Sequence, residues 1–170
     1  MPDLQPLRAA HGPAILAFEL ANRAYFAASI SDRGDAYFEH FAERHDALLA
    51  EQEAGIGAYY VLLAEDGSVL GRFNLVFVEE GVAELGYRVA QHVAGQGVAT
   101  GTVREMCSFA ASRHGVCTLR AATAVGNVAS QRVLLNAGFL PVGAADPSHL
   151  GGKQGTWYEL DVLPPSMRGA

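Results

Sequence analysis

Residues 82–124 constrain this chain more than any other segment. "VAELGYRV" (82–89) has the composition of a strand and runs into a loop with two glycines one residue apart, Gly95 and Gly97. The period then changes. Val103, Met106, Cys107 and Ala110 follow the i, i+3, i+4, i+7 spacing of a helix with one apolar face. "GVCTLRAATA" (115–124) is a strand again. A strand, a helix and a strand of one sheet need a crossover, so the two strands are expected to be parallel.

The flanking segments build around that unit. Residues 3–8 read as a short first strand, and 12–29 and 33–53 as two helices broken at "ISDRGD". "YYVLLA" (59–64) and "VLGRFNLVFV" (69–78) form a hairpin around "EDGS", and residues 82–89 continue it as an antiparallel meander. Residues 127–137 make a helix stopped by Gly138, and "FLPVGA" and "GTWYELDVL" supply the last strands. The expected class is α/β (α+β): a mixed, mostly antiparallel central sheet of six to seven strands flanked by about four helices. No linker or repeat divides residues 1–170, so one domain is expected, with a flexible tail at 164–170.

Composition narrows the partners. The net charge is −6, which argues against binding along a nucleic-acid backbone and fits a cationic or amine-bearing partner. Cys107 and Cys117 lie in apolar surroundings and read as buried thiols. The six histidines form no His-x-x-x-His or Cys/His cluster, so no metal is expected. The N-terminus lacks the pattern of a signal peptide and no apolar run approaches about 18 residues, so the expected location is the cytoplasm, without a membrane partner.

A strand ending in Gly-x-Gly and opening a helix suits a phosphate, because backbone N–H groups can approach the anion at the positive end of the helix. The alternative is a tight turn without a ligand. A P-loop needs a lysine here, and the chain's only lysine is Lys153. A dinucleotide fold needs a third glycine where Thr100 stands, and a ribose-binding acid, yet no Asp or Glu occurs from Met106 to Ala145. That stretch carries Arg113, Arg120 and Arg132, which suit a ligand with additional phosphate charge or are ordinary solvated arginines.

The third class, an acyl-CoA site, rests on a resemblance. "HVAGQGVAT" (92–100) resembles the pyrophosphate loop of the GNAT acetyltransferases, Arg/Gln-x-x-Gly-x-Gly/Ala. "NVASQRVLLNAGF" (127–139) is similar to their second CoA-side segment, and "AELGYRV" to the RimJ/RimL-type branch, acetyltransferases of protein N-terminal amino groups. The likeness covers about residues 58–143. It implies a GNAT fold, acetyl-CoA as co-substrate and an amine acceptor. It implies CoA contacts from Val89, Ala90, Ala94, Gly95, Gln96, Gly97, Val98, Ala99, Thr100, Asn127, Ser130 and Arg132. Two positions depart from the pattern. His92 replaces Arg or Gln, and Leu134 stands where many members carry a tyrosine thought to protonate the leaving thiolate.

Acetyl transfer to an amine needs a base, an oxyanion donor and a route for the departing thiolate. Glu84 is the candidate base. Alternation puts it on the strand face of Val82, Gly86 and Arg88, with room above Gly86; otherwise it is a surface glutamate, solvated or paired with Arg88. The backbone N–H of Val89 or Ala90 is the candidate oxyanion donor. Asn127 reads as a helix N-cap or, by resemblance, as a cofactor contact. Ser130 reads as an exposed first-turn serine or as the stand-in for the missing tyrosine. Glu19, Asn22, Arg23 and Phe26 share a helix face and either meet the acceptor or pack the helix. Trp157 and Tyr158 read as core. The acceptor is a peptide N-terminus, or alternatively a small molecule such as an antibiotic or polyamine. A non-catalytic acyl-CoA-binding protein is the alternative of another class, and a homodimer stays open.

Overall fold

A computed structural model describes residues 1–162 of the 170, so the tail expected at 164–170 lies outside the described residues. The strands are β1 (Asp3–Pro6), β2 (Gly57–Leu63), β3 (Val69–Glu79), β4 (Val82–Val89), β5 (Thr118–Ala124), β6 (Leu140–Ala145) and β7 (Gly155–Asp161). The helices are α1 (Gly12–Ala21), α2 (Arg23–Ala27), α3 (Asp35–Glu39), α4 (Phe41–Glu53), α5 (Val98–His114) and α6 (Val128–Asn136). One seven-stranded sheet runs in the order β1-β2-β3-β4-β5-β7-β6. The chain divides into two compact units, Met1–Asn74 with Tyr87–Gln96, and Leu75–Gly86 with the described residues from Gly97 onward.

In the first unit β1 lies antiparallel to β2, with Asp3 opposite Leu63 and Pro6 opposite Tyr60. β2 is buried from Gly57 to Leu62, so it reads as a continuous apolar run. Ile15, Phe18, Phe26, Phe41, Tyr59 and Val61 form the centre of its core. Gln52 of α4 ties helix to strand. Its Nε2 donates to the Leu7 carbonyl at 3.0 Å, and its Oε1 accepts from the Tyr59 N–H at 2.9 Å.

Each of the two expected N-terminal helices is broken once, which gives six helices where about four were expected. The interruptions fall at Asn22 (φ −107°, ψ 8°) and His40 (φ −110°, ψ 28°). Neither carries a proline. At Asn22 the side chain also bonds the Phe18 carbonyl, competing with the helix's own ladder.

In the second unit β4 and β5 are parallel, as the crossover requires: Val82 faces Thr118, Ala83 faces Leu119 and Glu84 faces Arg120. α5 turns Val103, Met106 and Ala110 inward, all fully buried. β7 returns between β5 and β6, antiparallel to both. Gly155 is obligatory there, since a Cβ would clash with the Thr123 carbonyl oxygen. Gly138 (φ 99°) ends α6 as expected. Tyr158 is buried, whereas Trp157 is only partly covered, with the Arg120 guanidinium 4.3 Å from its ring centre. The reading of two buried thiols needs correction. Cys107 is partly covered and Cys117 is exposed, because Cys117 lies at the mouth of β5 where Val116 and Leu119 take the inward positions.

Candidate active site

The glycine loop begins where β4 ends. Residues 91–93 make one tight helical turn, and Gly95 (φ 75°) and Gly97 (φ 79°) both take left-handed backbone. A Cβ added at either would meet no atom within 4 Å, so packing does not demand these glycines. The backbone does, because a side chain resists positive φ. Gly97 is the N-cap of α5 and no side chain caps that helix. The first-turn N–H groups of Val98, Ala99 and Thr100 therefore lack a side-chain acceptor from the cap position, as anion binding requires. Gln96 folds back, its Nε2 donating to the His92 carbonyl at 3.0 Å. His92 is exposed.

The start of the loop, Ala90 and Gln91, is anchored within the first unit. The Ala90 N–H donates to the Leu70 carbonyl at 2.8 Å. Of the two amides expected to stabilise an oxyanion, that of Ala90 is thus already engaged. The Gln91 N–H donates to Asn22 Oδ1 at 2.9 Å, and Asn22 Nδ2 donates to the Phe18 carbonyl at 2.9 Å. Asn22, expected on the acceptor side, is buried and spends both ends of its amide on this anchor. It lines a groove with Ala14, Ala17, Phe18 and Gln91.

Glu84 is half-buried on β4, and a Cβ on Gly86 would meet nothing within 4 Å, so there is room beside it. Among the described residues Glu84 makes no ion pair. Arg88, its expected alternative partner, donates to Glu19 at 3.0 Å. Arg120, opposite Glu84 in register, lies 3.3 Å from Glu159, too poorly aligned for a hydrogen bond.

On α6, Asn127 is the N-cap: its Oδ1 accepts from the Ser130 N–H at 3.3 Å. Ser130 is half-buried in the first turn and Arg132 is exposed. Leu134 is fully buried, so that helix position faces the interior of its own unit. The other two arginines of the basic segment are placed elsewhere. Arg113 stacks on Phe109, 3.6 Å from its ring centre, in the last turn of α5, the end remote from the glycine loop. Arg120 is occupied with Glu159 and Trp157.

A charge cluster that the sequence did not disclose surrounds Glu19. Its carboxylate is 1% exposed and accepts from Arg72 Nη1 at 2.9 Å, Arg88 Nη1 at 3.0 Å and Arg33 Nη2 at 3.2 Å. Burial pushes the Glu19 carboxyl up, and the charges of Arg33 and Arg88, an Arg33 hydrogen bond and Arg72 outweigh it, leaving the group below its usual range. Arg23 is held by Asp32 and Asp35, each at 2.8 Å. Phe26 is buried, with the Arg88 guanidinium 4.7 Å from its ring centre. Glu19, Arg23 and Phe26 line one small pocket together with Arg33, Phe38 and Arg88. Only the one-sided spacing of Glu19 with its helix neighbours pointed here. Arg33, Arg72 and Arg88 come from a loop and two strands and gave no local signal.

Open, positive-φ glycines before an uncapped helix fit the phosphates of a coenzyme-A donor. The chain belongs to the acetyltransferase (GNAT) domain family, whose model matches residues 3–140, and is an acetyl-CoA-dependent acetyltransferase. Solved structures share the fold at low identity. A ribosomal-protein-S5-alanine acetyltransferase from Vibrio fischeri is 17% identical with TM-score 0.86, over 95% of this chain and 93% of that one. Mycobacterium smegmatis RimJ in complex with CoA-disulfide is 19% identical with TM-score 0.84, over 99% and 85%. The spermidine N-acetyltransferase from Vibrio cholerae, in complex with CoA and spermine, is 14% identical with TM-score 0.78, over 95% of both. No curated protein matches. Among the described residues no group of His, Cys, Asp or Glu is placed to hold a metal, and no helix is long and apolar enough to cross a membrane.

Proposed function

We propose that this protein moves the acetyl group of acetyl-CoA onto a primary amine at a peptide N-terminus, by direct attack and without a covalent enzyme intermediate. The observation that carries the reading is Glu84, a half-buried carboxylate without an ion pair among the described residues, on the strand that leads into the glycine loop. In this reading the N–H groups from Gly95 to Thr100 seat the pyrophosphate, with Asn127 and Arg132 as further contacts. Glu84 takes the proton of the attacking amine. As the C–N bond forms, the Val89 N–H stabilises the carbonyl oxygen. As the C–S bond breaks, Ser130 donates a hydrogen bond to the sulfur, which leaves as the CoA thiolate and takes a proton from water. The donor supplies a thioester, already activated toward amines, so no metal or nucleophilic side chain is needed.

Small-molecule amines are the other class of acceptor, and one experiment separates them from peptides. Release of CoA thiol is followed with acetyl-CoA and a panel of amines: peptides of varied N-terminus, polyamines and aminoglycosides. Turnover above the hydrolytic background with a peptide supports the proposed reaction. Tight CoA binding with no amine accepted would sink it. Turnover confined to polyamines or aminoglycosides would move the acceptor to small molecules.

A further inference from the structure

The charge balance around Glu19 bears on what the acceptor must carry. Arg33, Arg72 and Arg88 converge on a single carboxylate, so three positive charges meet one negative. Arg72 has a further partner, the Tyr37 hydroxyl at 3.1 Å, and is almost fully buried. Arg33 and Arg88 are different. Their side chains are 31% and 16% exposed and both line the cleft beside Phe26 and Phe38, which is too tight to admit a water, so their free edges lie at its rim. The other charges at this pocket form a set of their own with one negative charge in excess: Arg23 is bound by both Asp32 and Asp35, and the Gly34 N–H also donates to Asp32 at 3.0 Å. Burial, then the charge of Arg33, push the Arg88 guanidinium down to about 10 against the opposing pull of Glu19, with Arg72 pushing the same way. Glu19 cannot receive a cationic group, since both its oxygens are taken and it is 1% exposed.

We infer that the acceptor brings an anionic group of its own, the carboxylate of an acidic residue close to the reacting amine, and that the exposed edges of Arg33 and Arg88 hold it at the rim of this cleft. A second carboxylate would bring the cluster nearer to neutrality and gain charge-assisted hydrogen bonds from guanidinium groups that Glu19 already holds in place. The net charge of −6 points the opposite way, toward cationic partners, yet it is a sum over the whole chain, whereas here four guanidinium groups, Arg23, Arg33, Arg72 and Arg88, meet three carboxylates, Glu19, Asp32 and Asp35. The inference rests on the acetyl transfer to peptides proposed above and selects acidic N-termini over polyamines.

The test uses peptide pairs that differ only by Glu or Gln at the second or third position, with spermidine as a cationic control. The wild-type protein is expected to favour the Glu peptide by about 10-fold in kcat/KM, mainly through KM. In Arg33→Gln that ratio should collapse toward one, and in Arg33→Lys part of it should return. Circular dichroism establishes that each variant is folded. Equal rates for the Glu and Gln peptides, or spermidine as the better acceptor, would overturn the inference and leave acetyl transfer standing. If no amine is acetylated, the proposed reaction fails, and calorimetry with N-acetylated Glu and Gln peptides decides the anion site separately. A Glu preference that Arg33→Gln abolishes would sustain it; equal affinities would overturn it.

Discussion

Asn22 Oδ1 accepts the backbone N–H of Gln91 at 2.9 Å, joining residues 69 positions apart in sequence. The end of α1 thereby fixes the start of the glycine loop. Asn22→Ala leaves the part-buried Gln91 N–H without its acceptor and is expected to cost about 0.5–1.5 kcal/mol in chemical denaturation. Acetyl-CoA affinity should fall several-fold with it. Asn22→Asp keeps the acceptor for Gln91 but loses the donor to Phe18, and should fall between. Unchanged stability in Asn22→Ala would mean that the loop start is held by the Ala90–Leu70 bond alone.

Gly97 needs its glycine for φ (79°), since a Cβ there meets open space. Gly97→Ala should therefore cost about 1–2 kcal/mol by strain, without a clash, and Gly97→Val more. If the loop N–H groups seat the pyrophosphate, Gly97→Val lowers CoA affinity at least about 10-fold. Asparagine tolerates left-handed backbone, so Gly97→Asn should retain most binding. Calorimetry on folded variants checks the order; equal affinities across the series would remove the phosphate-loop reading.

Glu84→Gln keeps the shape of the side chain and removes its basicity. Turnover should drop by roughly 10²-fold or more with acetyl-CoA affinity nearly unchanged. The variant should also lose the acidic limb of the pH–rate profile. A variant that retains rate and limb would leave proton removal to water.

Ser130→Ala should lower turnover roughly 5- to 30-fold where chemistry limits the rate, the effect of losing one hydrogen bond to a good leaving group. Leu134→Tyr should not rescue it. Leu134 is fully buried, and a tyrosine there overpacks the interior at about 1–3 kcal/mol instead of presenting a hydroxyl. Rescue by Leu134→Tyr would mean that α6 can turn this position toward the departing sulfur.

Glu19 sets a pH dependence. Its carboxyl titrates below its ordinary 4.5 in the folded protein. The stability this lends is present above the unfolded value and is lost as pH falls through the folded one. Glu19→Gln should cost about 3–5 kcal/mol at neutral pH, because three arginines lose their anion. The gap to wild type should narrow as pH drops below 4.5. Thermal midpoints from neutral to acid pH check this; a constant gap would place the acid sensitivity elsewhere.

Local pattern carried the parts of this protein that depend on neighbours in sequence. The period change after Gly97, the glycines at positive φ, the cap at Asn127 and the stop at Gly138 are all read within a few residues, because backbone propensity and amphipathic period act over one or two turns. The crossover between β4 and β5 followed from chain geometry alone. Tertiary structure decided the rest. The placement of β7 between β5 and β6, the exposure of Cys117 and the inward turn of Leu134 depend on which face each element buries. Asn22 and Glu19 show it most clearly. They lie three residues apart and share a helix face on paper, yet one holds the glycine loop and the other gathers Arg33, Arg72 and Arg88 from distant segments. Coulombic and hydrogen-bond partners are chosen by distance in space, and residues 53 and 69 positions apart leave no periodic trace in the chain.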